Sequence, residues 1–350
     1  MSEQSSEMDR LLRRHLAFWE RKPADGPLLR VRDYVFLSPN PDVPLRGGRR
    51  AAEGTPIVPQ ELDLDAMLAR WPAPVEAVDG DYVREVVPYG LCWMEGLMGA
   101  NVRASSGSIW SEPGPFDWAC VGELRKRLAP DNPWHATLRE YVARLAKAAD
   151  GRVPVAQTLM RGPIDVAEAL LGTEELSLAL HDHPAELAEL LDCAAEAFVQ
   201  VGRIFSEVAP PWHGGRAIFG IWTPGTVIRM QSDHSVLLSP ASYRRWCVPL
   251  DARIAGAFDY SIFHLHSSCI HILDALLEIE ALDAIQLTLD VWPSGPRLYE
   301  LLPRLTRIQQ AGKSLLITGG PVSREELDEA LRTLPAAGLA LQVGIGSTWD

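Results

Sequence analysis

From residue 150 onward the chain alternates short apolar runs with longer stretches of helical spacing, a pattern that restricts it to parallel βα architectures. The runs over 153–160, 216–222, 226–233, 260–266, 284–290, 314–318 and 338–345 are expected strands. A further apolar run over 27–36 brings the number to eight, which is what a closed (β/α)8 barrel requires. Between the strands the spacing predicts helices. The longest helical stretch, 174–208, is interrupted at His183-Pro184, because proline restricts the residue before it and starts a helix afresh. Another helix opens at Ser239-Pro240, one spans 269–279, and the one after 314–318 opens on a capping box, Ser323 with Glu326. The expected fold class is therefore α/β, a single TIM barrel domain over 1–350. Residues before 150 add an N-terminal helical extension over 1–26 and a Pro-, Gly- and Arg-rich loop or lid over 37–60. A doubly wound open sheet is the competing architecture, but no GxGxxG follows an early strand.

Hydrophobic residues make up 47% of the 350, enough for a sizeable core. The net charge of −13 opposes a nucleic-acid or anionic-membrane footprint, since both depend on Lys and Arg meeting phosphate. Five scattered cysteines with no CxxC pair read as reduced thiols. The opening residues carry no apolar signal segment, and no uncharged apolar run reaches the roughly 18 residues that span a bilayer. The expectation is a cytoplasmic enzyme acting on a small molecule.

In a barrel the chemistry sits at the C-terminal ends of the strands, so the polar residues there are the candidates. The 260–266 strand ends in His264 and His266, which share a face because side chains alternate along a strand. Two imidazoles so placed can converge on a metal such as zinc, or can be hydrogen-bonded cleft residues with no metal. A third ligand would come from Cys269, Asp290, Asp233 or His234, although Cys269 also reads as a small buried hydrophobe, and His271 is expected to orient its neighbours. Gln286, Thr288 and Asp290 share one face of the 284–290 strand. Asp290 can orient a histidine, bind metal, act as a general base, or cap the following segment. In Gln231-Ser232-Asp233-His234, Asp233 is the residue expected to point inward. Arg161 can grip a substrate carboxylate or form a structural ion pair. Trp110, Trp212, Trp222 and Trp292 can wall a pocket or pack between loops, and Glu95 reads as a surface charge. The expected assignments are Asp233 and Asp290 for catalysis, His264, His266 and Cys269 for metal, and Arg161, Trp110, Trp222, Gln231 and Gln286 for substrate. No GxSxG elbow and no Walker-type loop is present.

The run Phe258-Asp259-Tyr260-Ser261-Ile262-Phe263-His264-Leu265-His266-Ser267, continued by 272–279 and 282–286, resembles proteins of the uroporphyrinogen decarboxylase superfamily. Leu238-Ser239-Pro240 with Tyr243 and Pro249, and Thr158-Leu159-Met160-Arg161-Gly162-Pro163, extend the likeness over roughly 85–345. The resemblance implies a barrel and one of two chemistries. The decarboxylase of tetrapyrrole synthesis implies an arginine-rich N-terminal segment gripping carboxylates; here 27–34 offers Arg30 and Arg32. The zinc-dependent methyltransferases that serve corrinoid proteins and thiols imply a His-X-Cys at the end of this strand and a further cysteine near the C-terminus. His264 matches the first position, His266 stands where the Cys would be, and 338–346 holds no thiol. Nitrogen and oxygen donors would suit zinc, but also iron, manganese or nickel. The resemblance thus implies metal-dependent methyl or other one-carbon transfer with a corrinoid on a partner protein. Its rivals are a metal-free decarboxylase of a carboxylated or tetrapyrrole-like substrate, using Arg30, Arg32 and Arg161, and a non-catalytic corrinoid- or tetrapyrrole-binding protein. A homodimer is the usual state of the proteins it resembles.

Overall fold

Six of the expected strands hydrogen-bond into one parallel sheet, in the spatial order Leu28–Asp33, Leu339–Ile345, Ser314–Val322, Ala284–Leu289, Tyr260–His266 and Val227–Gln231. The structure is a computed structural model that describes residues 3–23, 25–34, 42–51, 54–71, 76–291 and 294–346. Part of the expected lid over 37–60, and Trp292, lie outside the described residues. Both faces of the sheet are covered, which is why its strands read as nearly continuous apolar runs. Phe263, Leu265, Ile285, Leu287, Leu315 and Ile317 are buried in the main core that the surrounding helices complete. On the other face, near the strand starts, Leu28, Ile262, Ala284, Leu316 and Ala340 form a second apolar cluster with Phe18, Trp19, Ile218 and Ile221.

Helices lie where proline and capping chemistry put them. Thr173–Asp182 and Pro184–Val208 are separate, and Arg324–Thr333 begins at the reciprocal Ser323–Glu326 capping box. The helix after Ser239-Pro240 is divided at Cys247 into Pro240–Trp246 and Val248–Ala255, the second carrying Pro249 in its first turn. Among the described residues no helix is long and apolar enough to cross a membrane.

Two of the eight expected strands do not join the ladder, so the hydrogen-bonded sheet has six. Residues 153–160 make a single parallel bridge, Val155 to Val86, in which Val86 N donates to Pro154 O at 3.0 Å and Ala156 N to Val86 O at 2.9 Å. Toward the Val227–Gln231 strand a side chain replaces the ladder. The Gln157 carboxamide donates to Arg229 O and accepts from Arg229 N, both at 2.8 Å.

The run 216–222 is an antiparallel hairpin, Arg216–Ile218 against Ile221–Thr223. Its two-residue turn, Phe219-Gly220, has φ of +54° and +71°, the primed geometry whose twist suits a tight hairpin. An apolar run of seven residues looks the same whether it crosses a sheet or folds back on itself. The turn is pinned against the face that carries the histidines: Gln342 Nε2 donates to Phe219 O at 2.5 Å, Gly220 N to Glu85 Oε2 at 2.9 Å, and Val83 N to Gly220 O at 2.9 Å. The helix Glu3–Glu20 packs against this hairpin, with Trp19 Nε1 donating to Trp222 O and Trp222 N donating to His15 Nδ1.

Candidate metal centre

His264 and His266 occupy the last turn of pleat on the Tyr260–His266 strand, and their Nε2 atoms face each other at 3.2 Å. The other nitrogen of each ring is already engaged. His264 Nδ1 lies in close hydrogen-bond contact with Gln286 Oε1, one strand over in register. His266 Nδ1 lies 2.6 Å from Asp290 Oδ1. A carboxylate and an amide oxygen only accept, so both Nδ1 atoms carry hydrogen and both Nε2 atoms of the neutral rings present lone pairs to one shared point. Two facing lone pairs repel unless a metal ion or a proton lies between them. Nitrogens held about 2.0–2.1 Å from a tetrahedral ion lie about 3.3 Å from each other, close to the spacing found here.

Asp233, just past the Val227–Gln231 strand, supplies the third donor, with Oδ1 3.9 Å from His266 Nε2. One donor atom from each of Asp233, His264 and His266 falls within 4.8 Å of the others, the set among the described residues able to hold a metal ion. Asp233 Oδ2 accepts from Gln231 Nε2 at 2.8 Å, and Gln231 Oε1 accepts from Arg229 at 2.9 Å, so the carboxylate is oriented from below. Gln286 is held in turn, donating to Thr288 Oγ1 at 2.7 Å and to Thr318 Oγ1 at 2.5 Å.

The electrostatics separate the two imidazoles. Burial, helped by the Arg229 charge and opposed by the Gln286 contact, pulls His264 down to about 3 and keeps it neutral. The hydrogen bond to Asp290 raises His266. Burial works against the Asp290 charge, but His266 and the Ser268 amide outweigh it and hold that carboxyl at about 2.

The other expected site residues fall in different places. Cys269 is not one of the converging groups; it lies buried in the short helix Ser267–Ile272 that follows the histidine strand, where its thiol is raised by burial. Asp290 sits behind His266 and also accepts from Ser268 N at 2.9 Å, so it orients the ring from outside the shared point. Arg161 is paired with Glu95 at 3.3 Å, and Glu95, expected at the surface, is buried in the helix Trp93–Met98. Trp110 donates to Glu112 on its own strand. Trp222 is buried near the strand starts, its indole donating to Trp212 O at 3.0 Å, a packing position rather than a pocket wall. His271 bridges to Ser235 O and Leu238 O, bracing the segment after Asp233.

Three further residues matter here. Arg229 follows from the alternation that places Gln231 and Asp233 inward. Asp165, at the third helical position after Gly162, accepts from the backbone N–H of Gly162, Asp233 and His234. Glu85 carries no sequence signal. Gly162 itself is required by close approach, because a Cβ there would stand 2.2 Å from Gln231 O. Gly162→Ala is expected to push Gln231 and Asp233 away, costing about 1–3 kcal/mol in denaturant unfolding. Gly90→Ala, whose Cβ would meet Leu159 at an ordinary 3.8 Å, is expected to be nearly neutral. Equal effects from the two variants would refute the close-approach argument.

Neither a family model nor any curated protein sequence matches the chain. Among solved structures it is similar to a methyltransferase from Methanosarcina mazei, at a TM-score of 0.58 and 17% identity, covering 97% of this chain and 94% of that one. At that identity the likeness bears on fold, and it extends over nearly the whole of both chains.

Proposed function

We propose that the chain is a metal-dependent transferase of the uroporphyrinogen decarboxylase superfamily, built on a (β/α)8 barrel and moving a methyl or other one-carbon group on a small substrate. The observation that carries the reading is the pair of Nε2 lone pairs at 3.2 Å, each fixed by a partner on its opposite nitrogen, with the Asp233 carboxylate beside them. The donor set of two nitrogens and one oxygen fits zinc, iron, manganese or nickel, and three protein ligands leave a position open for substrate. When bound, such a cation supplies the Lewis acidity that keeps a thiol or hydroxyl acceptor in its anionic form. The chain's own residues do the rest: Gln286 and Asp290 hold the imidazole tautomers, and Asp233 offsets part of the cation's charge. Val236 and Leu237, both more than half exposed, follow Asp233 in the chain and offer apolar surface on the same segment. Similarity in fold to a methyltransferase supports the reaction class. The methyl source in this reading is a corrinoid on a partner protein. The test is elemental analysis of protein purified without a histidine tag: about one divalent ion per chain is expected, and none, even after incubation with zinc, would overturn the reading.

The raised His266, hydrogen-bonded to Asp290, favours one rival, in which a proton replaces the metal between the two Nε2 atoms and the pair works as an acid–base relay. A decarboxylase of that kind would need arginines for its substrate. Arg30 and Arg32 both face Asp79, and Arg161 faces Glu95, so the three expected ones already have acidic partners.

A further inference from the structure

Beneath the histidines, on the same face of the sheet, lies a guanidinium with no acidic partner. Arg229 points from the middle of the Val227–Gln231 strand, two residues before Gln231 and four before Asp233. Most of the ion pairs around it are complete: Arg30 and Arg32 with Asp79, Arg14 with Asp81, Arg161 with Glu95. Among the described residues Arg229 has no carboxylate within ion-pair distance, and its Nε is buried with no hydrogen-bond partner. One terminal nitrogen donates to Gln231 Oε1, and the guanidinium lies 5.0 Å from the centre of the Phe219 ring.

Two carboxylates act on Arg229 from beyond ion-pair distance, Asp233 and then Glu85; Asp233 Oδ2 accepts from Gln231 Nε2, and Glu85 Oε2 accepts from Gly220 N in the hairpin turn. Burial works against the Arg229 charge, but arginine remains protonated at neutral pH. A buried guanidinium with no carboxylate in contact is only partly compensated, which leaves it able to take up an anion. Arg229, His264, Gln342 and Arg30 all retain some accessible surface, so this layer is not sealed from solvent. The Phe219 ring is stacked 6.4 Å from His264 and lies 5.0 Å from the guanidinium, so one aromatic face borders both groups.

We infer that Arg229 is the anchor for a carboxylate on the substrate, which enters with its anionic end toward Phe219 and its reacting end at the Asp233, His264 and His266 cluster. This rests on the proposal that the cluster is the reacting centre. It gives the substrate class as a small organic acid whose reactive group lies a few bonds from its carboxylate. The carboxylate accepts from Nε and from the terminal nitrogen that Gln231 leaves free, restoring charge balance to the layer.

The test titrates 3-mercaptopropionate and its neutral amide, 3-mercaptopropionamide, into full-length protein with and without added zinc, by calorimetry, with zinc content measured in every sample. Wild type is expected to bind the acid about 10- to 100-fold more tightly than the amide, the range of one charge-assisted contact. In Arg229→Gln the ratio is expected to fall to about one, read both in zinc-free protein and at matched zinc occupancy because Arg229 also braces Gln231 behind Asp233. A ratio of about one in wild type, or a preserved ratio in Arg229→Gln, overturns the anchor. An acid preference lost in Arg229→Gln, in protein that never takes up zinc, supports the anchor and overturns only the metal reading. Should Arg229→Gln not fold, a crystal structure of wild type with the acid decides: a carboxylate within hydrogen-bond distance of Arg229 supports the inference, and one placed elsewhere overturns it.

Discussion

The double variant His264→Ala/His266→Ala is expected to lower metal affinity by at least about 10³-fold while leaving the chain folded. It removes two of three protein donors, and Asp233, 44% exposed, cannot hold a divalent ion alone. The fold should survive because both rings lie on the polar, solvent-reached layer, whereas the strand's Phe263 and Leu265 face the helices and are buried. Metal affinity by competition with a chromophoric chelator, together with the unfolding midpoint in the presence of chelator, checks both halves. A variant that takes up zinc as tightly as wild type would show that the converging lone pairs serve some other purpose.

Asp165→Ala is expected to be the most destabilising single change near the site, by about 3–5 kcal/mol, because three N–H donors around a fully buried carboxyl group lose their acceptor together. Those donors are Gly162 N at 3.1 Å, Asp233 N at 3.2 Å and His234 N at 2.7 Å. Burial raises the Asp165 carboxyl to about 8, against the pull of these amides. Since the carboxylate ties the start of the helix Pro163–Leu171 to the turn that presents Asp233, the variant should also weaken metal affinity about 10-fold or more. Asp165→Asn keeps one acceptor oxygen and should fall between the two. Denaturant unfolding and metal titration measure the two effects, and a loss of stability with unchanged affinity would separate Asp165 from the site.

The parts of the fold that were legible in the sequence are those where one periodicity has one structural meaning. The 260–266 run became the strand Tyr260–His266 because Ile262, Phe263 and Leu265 are buried on its two faces, and the Asp259 and Ser267 flanks end it. The same alternation brought His264, His266 and Asp233 together, and it also places Arg229 on their face, although an arginine inside an apolar run carries no signal of its own. The 216–222 run misled because a positive-φ Phe219 is rare, and nothing in the seven residues except Gly220 announces a turn. Residues 153–160 failed as a ladder strand for a similarly local reason: Pro154 has no N–H, and Gln157 makes with a side chain the bonds a backbone would make. Cys269 illustrates the opposite limit. Two residues past a short strand the chain has already turned into a helix, so nearness in sequence to His266 does not become nearness at the donor atoms.

The Phe219-Gly220 turn divides labour between two parts of the chain. His264 and His266 are carried by a strand whose register is locked on both sides, whereas the aromatic ring beneath them comes from the tip of a separate hairpin. If the carboxylate anchor proposed at Arg229 holds, the hairpin acts as a ruler: a different residue at 219 would change the length of molecule admitted while the histidine strand keeps its register, so reach and chemistry could vary independently.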